Sequence, residues 1–71
     1  MKAIRVEEMI SFEAKYLHQT SQAILVEIDE KEVWLPKSAV DYDEEELEGI
    51  EKGNIFDISI PEKLATDKQL I

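Results

Sequence analysis

The chain has no cysteine, and its 71 residues include two glycines, two prolines and one histidine. Without cysteine, neither a disulfide nor a thiolate metal site can supplement the hydrophobic core. Two glycines cannot form a glycine-rich phosphate loop, and no Gly-x-Ser-x-Gly nucleophile motif occurs. The histidine, His18, has no cysteine partner and is predicted to be a polar turn residue. We therefore expect no catalytic residues, no cofactor and no enzymatic activity.

Long hydrophobic runs are also missing. No apolar segment approaches the roughly 20 residues needed to span a bilayer, and the N-terminal MKAIRVEEMI is charged throughout. Hydrophobic residues nonetheless make up 44% of the chain, which is enough for one compact core. The prediction is a single cytoplasmic domain over residues 1–71, with no membrane contact.

Positive charge is scarce, since eight lysines and arginines oppose 17 acidic residues, for a net charge of −9. The imbalance is concentrated in DYDEEELEGIE, which lies within a predicted acidic loop or short helix at residues 41–53. This charge repels phosphate backbones over about 8 Å at physiological salt, so duplex DNA is not an expected partner and a basic protein surface is. The acidic residues are Asp41, Asp43, Glu44, Glu45, Glu46, Glu48 and Glu51.

Apolar and polar residues alternate in several short segments, which is typical of strands. We predict strands at residues 10–17, 23–28, 32–36 and 54–60, a further short strand in KSAVDY, and a helix from Glu62 to about Gln69. Ser59 and Glu62 have capping-box spacing, and Pro61 suits a first helical turn. The turn at Asp29–Lys31 lacks glycine, which predicts either a loop longer than two residues or a positive φ on a non-glycine residue.

These elements predict a mainly β fold, a small antiparallel curled sheet or barrel of the SH3-like or OB-like kind, with a short C-terminal helix. Pro36 cannot donate to a ladder, which predicts a place at an edge or a strand end. The predicted core residues are Ile24, Val26, Ile28, Val33, Leu35, Phe56 and Ile58.

The acidic segment allows three interpretations. A calcium loop of the EF-hand type fails, because its sixth and twelfth positions hold Glu46 and Lys52 instead of glycine and glutamate, so no metal is expected. The segment can be a solvated face that maintains solubility. Alternatively, its carboxylates can imitate a phosphate backbone and occupy the basic groove of a nucleic-acid-binding protein.

Trp34 alternates with Val33 and Leu35, so an inward aliphatic pair places the indole on the outer face of its strand. There it can pack beneath the C-terminal helix or anchor a partner, as tryptophan often does at interfaces. Beside Lys37 it can also stack on a nucleobase.

Two stretches, AILVEIDEKEVWLPKSAV and ISIPEKLATDKQLI, resemble a small bacteriophage and prophage domain family with a VWIPKS-type hairpin and a VPEWLAEKKGL-type C-terminal helix. The sequence differs where Lys63 replaces the family's usual tryptophan and Gln69 stands near its usual glycine. The resemblance implies a phage protein in a bacterial host.

These observations support three functional hypotheses. The first is a protein-binding module that inhibits or regulates a basic nucleic-acid-handling host protein, such as a defence nuclease, through the acidic segment and Trp34. The second is a replication or recombination accessory that contacts single-stranded nucleic acid through an aromatic face. The third is an assembly component that pairs through an exposed strand edge.

Overall fold

The protein folds around one antiparallel sheet. Its computed structural model describes residues 8–71, so residues 1–7 of the predicted domain lie outside the described range. The four strands have the spatial order β3-β2-β1-β4, which leaves β3 and β4 at the two edges of a curled, unclosed sheet. The predicted mainly β fold with a short C-terminal helix is confirmed. The strands are β1 (Met9–Gln19), β2 (Ala23–Ile28), β3 (Lys31–Pro36) and β4 (Ile55–Pro61).

A wrapping segment connects the two edges of the sheet. After β3 the chain forms a 3₁₀ turn at Lys37–Ala39, followed by α1 at Glu44–Glu48. The strand predicted in KSAVDY is wrong, because only Asp41 pairs there, with backbone bonds of 2.9 Å in both directions to Ser59 of β4. The turn redirects the chain from the edge at β3 to the edge at β4.

The β2–β3 hairpin has a two-residue turn. Ile28 pairs with Lys31, and the residues between them, Asp29 and Glu30, have φ values of 51° and 66°. Positive φ at both central positions matches the right-handed twist of the flanking strands. Of the two predicted alternatives, a longer loop or a positive φ on a non-glycine residue, the structure has the second.

The core lies on one face of the sheet and is closed by residues from both helices. All seven predicted core residues face it, although Val33 is only partly buried. The register of β4, with Phe56 and Ile58 inward, is confirmed. Additional buried residues are Ala14, Tyr16, Val40, Leu47, Ile60, Ala65 and Leu70.

A β-bulge reverses the alternation near the end of β1. Tyr16 pairs with Val26, but the next paired residue is His18, opposite Leu25, so Leu17 is the extra residue. Uninterrupted alternation from Tyr16 would direct His18 into the core, whereas the bulge restores it to the outer face. The prediction that His18 lies in a turn is wrong, because β1 continues to Gln19.

The C-terminal helix α2 (Glu62–Asp67) starts without the predicted capping box. Because β4 continues through Pro61, this proline is the N-cap, and the Ser59 hydroxyl lies 3.3 Å from that of Ser11 instead. The helix stops two residues before its predicted end at Gln69, where φ is 61°.

A Schellman motif ends α2. The Gln69 N–H donates to the Thr66 carbonyl at 3.0 Å, and the Leu70 N–H donates to the Ala65 carbonyl at 2.8 Å. This motif requires a left-handed residue at the Gln69 position, which glycine adopts without steric cost. The motif also directs Leu70 into the core beside Ala65.

We expect Gln69→Gly to stabilise the fold by about 0.5–1 kcal/mol, because it removes the clash of an L side chain in the left-handed region. Chemical denaturation measures the change in the free energy of unfolding. Gln69→Ala is the matched control, since it retains Cβ and should give no gain. Equal stability of the glycine and alanine variants would contradict this account of the helix end.

Candidate functional site

The acidic segment is ordered by contacts at both ends of α1. The Asp43 carboxylate accepts from the backbone N–H groups of Glu45 and Glu46, at 3.0 and 3.4 Å, and so caps the helix. Leu47 is buried, and its carbonyl accepts from the Gln19 side chain at 3.3 Å. The helix is therefore attached to the core through its single apolar residue.

The other four residues of α1 are exposed glutamates. At 100° per residue, Glu45 points almost directly away from the buried Leu47, while Glu44 and Glu48 share one side of the helix. Five residues span about 7.5 Å at 1.5 Å each. Four charges in this length approach the density of duplex DNA, which is one charge per about 1.7 Å.

The remaining predicted acidic residues flank α1 and are exposed. Asp41 is held by its backbone bridge to Ser59. Glu51 begins a turn in which its N–H donates to the Asn54 side chain at 3.0 Å. Within residues 8–71, no group of three histidine, cysteine or carboxylate side chains is placed to hold a metal ion. The acidic side chains thus spread over the surface without converging on a point.

Lys37 lies beside the acidic helix. Its amine donates to the Gln19 side-chain oxygen at 2.8 Å, and it lines an open cleft of about 400 Å³ together with Tyr42, Glu44 and Glu48. Trp34 does not line this cleft. The structure therefore places Lys37 beside α1, and not beside Trp34.

The outer face of the sheet, defined here as the face opposite the core, is a second candidate surface. Alternation and register place Trp34, Leu25 and His18 in one row across β3, β2 and β1. Trp34 is 44% exposed, and Ile55 is a further exposed apolar residue on this face. The outer face thus combines apolar groups that the core does not use.

Sheet register also collects four acids on this outer face. Glu13 lies opposite Asp57, and Glu27 lies opposite Glu32. Like charges in directly opposite positions repel each other. Lys15, opposite Glu27 on β1, is the cation that register places in this group. Sequence reasoning missed these four outer-face acids because they are far apart in the chain and only strand pairing brings them together.

Trp34 makes an edge-to-face contact with His18, with ring centroids 6.3 Å apart and planes at 88°. Such T-shaped geometry is favoured by the charge distribution of aromatic rings. The expectation that the C-terminal helix covers Trp34 is wrong. Helix α2 packs against β4 and β1, with Ala65 in the core on the opposite side of the sheet from the indole.

Comparisons with other proteins identify no relative: no family model matches the sequence, and neither curated proteins nor solved structures yield a match. The helices among residues 8–71 are too short and too polar to cross a membrane. The two surfaces described above are therefore the candidate sites for function.

Proposed function

We propose that this chain is a small protein-binding module that presents the acidic surface, defined as α1 with its flanking carboxylates, to a basic groove on a nucleic-acid-handling protein. The observation that carries the proposal is the fixed position of four exposed glutamates on a five-residue helix anchored by Leu47. Their spacing resembles the charge density of a phosphate backbone. Binding would exclude nucleic acid from the groove by competition.

A rigid acidic helix suits this role for two physical reasons. Opposite charges accelerate encounter through long-range attraction, which salt screens. Because Leu47 and the Asp43 cap hold the helix in place, less backbone conformational entropy is lost on binding. The resemblance to a phage family suggests a bacterial host protein as the partner, and a defence nuclease has the required basic groove. Inhibition of such an enzyme is the expected consequence.

The test compares two variants with equal loss of charge. The acidic-surface variant replaces Glu44, Glu45, Glu46 and Glu48 with glutamine and retains the Asp43 cap. The sheet-face control replaces four acids of the outer face with their amides, namely Glu13, Glu27, Glu32 and Asp57. Both variants change the net charge equally, so a difference between them reports the location of the interface.

We expect the parent to displace duplex DNA from a partner captured from a bacterial lysate, and the acidic-surface variant to bind that partner about tenfold or more weakly at low salt, mainly through a slower association rate. The sheet-face control should lose much less. Equal losses in both variants would show that net charge alone drives binding and would sink the proposal. Melting curves confirm that each variant is folded.

The second candidate function is contact with single-stranded nucleic acid through Trp34, which its exposure on a sheet face favours. The neighbouring acids Glu27 and Glu32 oppose a phosphate backbone at this face. Single-strand binding that Trp34→Ala abolishes, in the absence of a protein partner, would replace the first proposal with this one.

A further inference from the structure

The free edge of β3 has a definite hydrogen-bonding pattern. The Lys37 N–H donates to the Gln22 carbonyl at 2.8 Å, immediately beyond the paired residues of β3 and β2. Because hydrogen-bonded and non-hydrogen-bonded pairs alternate in an antiparallel ladder, Leu35 and Val33 also bond to β2. The backbone groups of Glu32 and Trp34 therefore point away from the sheet.

The part of the chain that the structure describes leaves this edge available to a further strand. Within residues 8–71, no strand pairs with the outer side of β3. The opposite edge differs, because Asp41 already occupies β4 at Ser59. At Pro36 the missing N–H falls on the outward side, so the proline leaves the β2–β3 ladder intact and ends the available edge.

The charges at this edge indicate which side chains a strand added to it would carry. Glu32 lies directly opposite Glu27, where side chains are about 4.5–5.5 Å apart at Cβ. Lys15 is on the far side of Glu27, and the Lys31 amine donates to the Gln69 carbonyl at 2.7 Å from the other face of the sheet. A cation on an added strand would face Glu32 from its unoccupied side.

A second copy of this chain does not supply that cation. Antiparallel pairing about a two-fold axis joins outward-pointing residues to each other. The outward-pointing residues of β3 are Glu32, Trp34 and Pro36. In a symmetric pair of β3 strands, Glu32 therefore lies opposite one of these three residues of the copy and never opposite a base. Each copy also carries a net charge of −9. Charge complementarity therefore favours a different, basic strand.

We infer that the edge of β3 binds an extended basic peptide segment of a partner protein by strand addition. Cationic side chains two positions apart would project on the outer face, one opposite Glu32 and one over the indole of Trp34. Backbone bonds to Glu32 and Trp34 would provide affinity independent of sequence. This inference does not rest on the proposed function, because it uses neither α1 nor its carboxylates.

The probe is the capped heptapeptide Thr-Val-Arg-Val-Arg-Val-Thr, whose arginines project on one face of a strand. Its control has the same composition with adjacent arginines, Thr-Val-Arg-Arg-Val-Val-Thr, which places them on opposite faces. Titration to millimolar peptide is followed by amide chemical shifts and hydrogen exchange. We expect the first peptide to shift and protect the Glu32 and Trp34 amides and to bind more tightly than the control.

Substitutions separate the charge from the backbone contribution. Glu32→Gln should weaken binding of the probe peptide about threefold to fivefold, because it removes an exposed ion pair. Glu32→Pro should weaken it by about a further fivefold, since it also removes the outward N–H while sparing the β2 ladder. Glu27→Gln is the matched control and should leave affinity within about twofold, because its carboxylate lies one strand further from the added peptide and has Lys15 on its other side. Thermal melts verify that the variants fold.

The outcomes are distinct. Absence of shifts at Glu32 and Trp34 in millimolar peptide, or equal binding of the two peptides, overturns the inference. Shifts centred on α1 and lost in the acidic-surface variant would overturn it while leaving the proposed function intact. Slow exchange of the Glu32 and Trp34 amides in the free protein would show that the edge is already covered. If that protection increases with protein concentration, the strand that covers the edge belongs to a second copy of the chain.

Discussion

Replacing Ile58 with alanine is expected to destabilise the protein by about 2–5 kcal/mol, the range for truncating a buried isoleucine or leucine. Ile58 is 1% exposed in β4 and faces the same core as residues of both helices. The lost burial and the remaining cavity both contribute. Since small domains have only about 5–15 kcal/mol of stability in total, a large fraction of the fold's stability depends on this side chain.

Ile55 provides the control for Ile58 in the same strand. It is 57% exposed on the outer face, so Ile55→Ala should cost no more than about 1 kcal/mol, mainly through strand propensity. Urea denaturation followed by circular dichroism measures both variants under the same conditions. Comparable losses at the two positions would show that the described orientation of β4 is wrong.

Replacing Leu47 with alanine is expected to cost about 2–3 kcal/mol and to detach α1 from the core. A five-residue helix is too short to be stable alone, and Glu44 and Glu48 repel each other at i,i+4 spacing. Leu47 is 3% exposed, and its burial offsets the low stability of a short helix and the repulsion between the two glutamates. Local release of the helix limits the loss to less than that of a central core residue.

Urea denaturation measures the stability of the Leu47 variant, and amide exchange measures the local order of α1. We expect the Leu47 amide, which donates to the Asp43 carbonyl at 3.1 Å, to exchange much faster in Leu47→Ala. Glu45→Ala is the control, because that side chain points into solvent and should change stability by no more than about 0.5 kcal/mol. An unchanged exchange rate in Leu47→Ala would mean that the cap and neighbouring bonds suffice to hold the helix.

Alternation in the sequence was enough to predict the four strands of the sheet to within two residues, and the core-facing side of β2, β3 and β4, although it also predicted a strand in KSAVDY that does not form. A period of two has a direct physical cause, since successive side chains of a strand point to opposite faces. Ile24, Val26 and Ile28 are buried for this reason. For the β2–β3 turn the local sequence left two alternatives, a longer loop or a positive φ on a non-glycine residue, and the pairing of Ile28 with Lys31 selects the second.

Predictions failed where a local pattern competed with a longer-range constraint. His18 sits in polar sequence that resembles a turn, yet pairing with β2 extends β1 and a bulge redirects the side chain. Ser59 and Glu62 have the spacing of a capping box, but Ser59 lies within β4, where its backbone pairs with Asp41 and cannot start a helix. Short sequence patterns cannot predict such competition, because the residues that compete as pairing partners lie far away in the chain.

The class of fold, the inward residues of β2, β3 and β4 and the concentration of negative charge at residues 41–51 can all be read from the chain, since each depends on residues that are close together in it. The positions of the charged side chains on the surface, in contrast, depend on the folded structure. Burial of Leu47 anchors the acidic helix, and register places Glu27 opposite Glu32 beside an exposed Trp34. Both arrangements depend on which strands pair and in which register, a choice made by burying one shared core and not by any single segment.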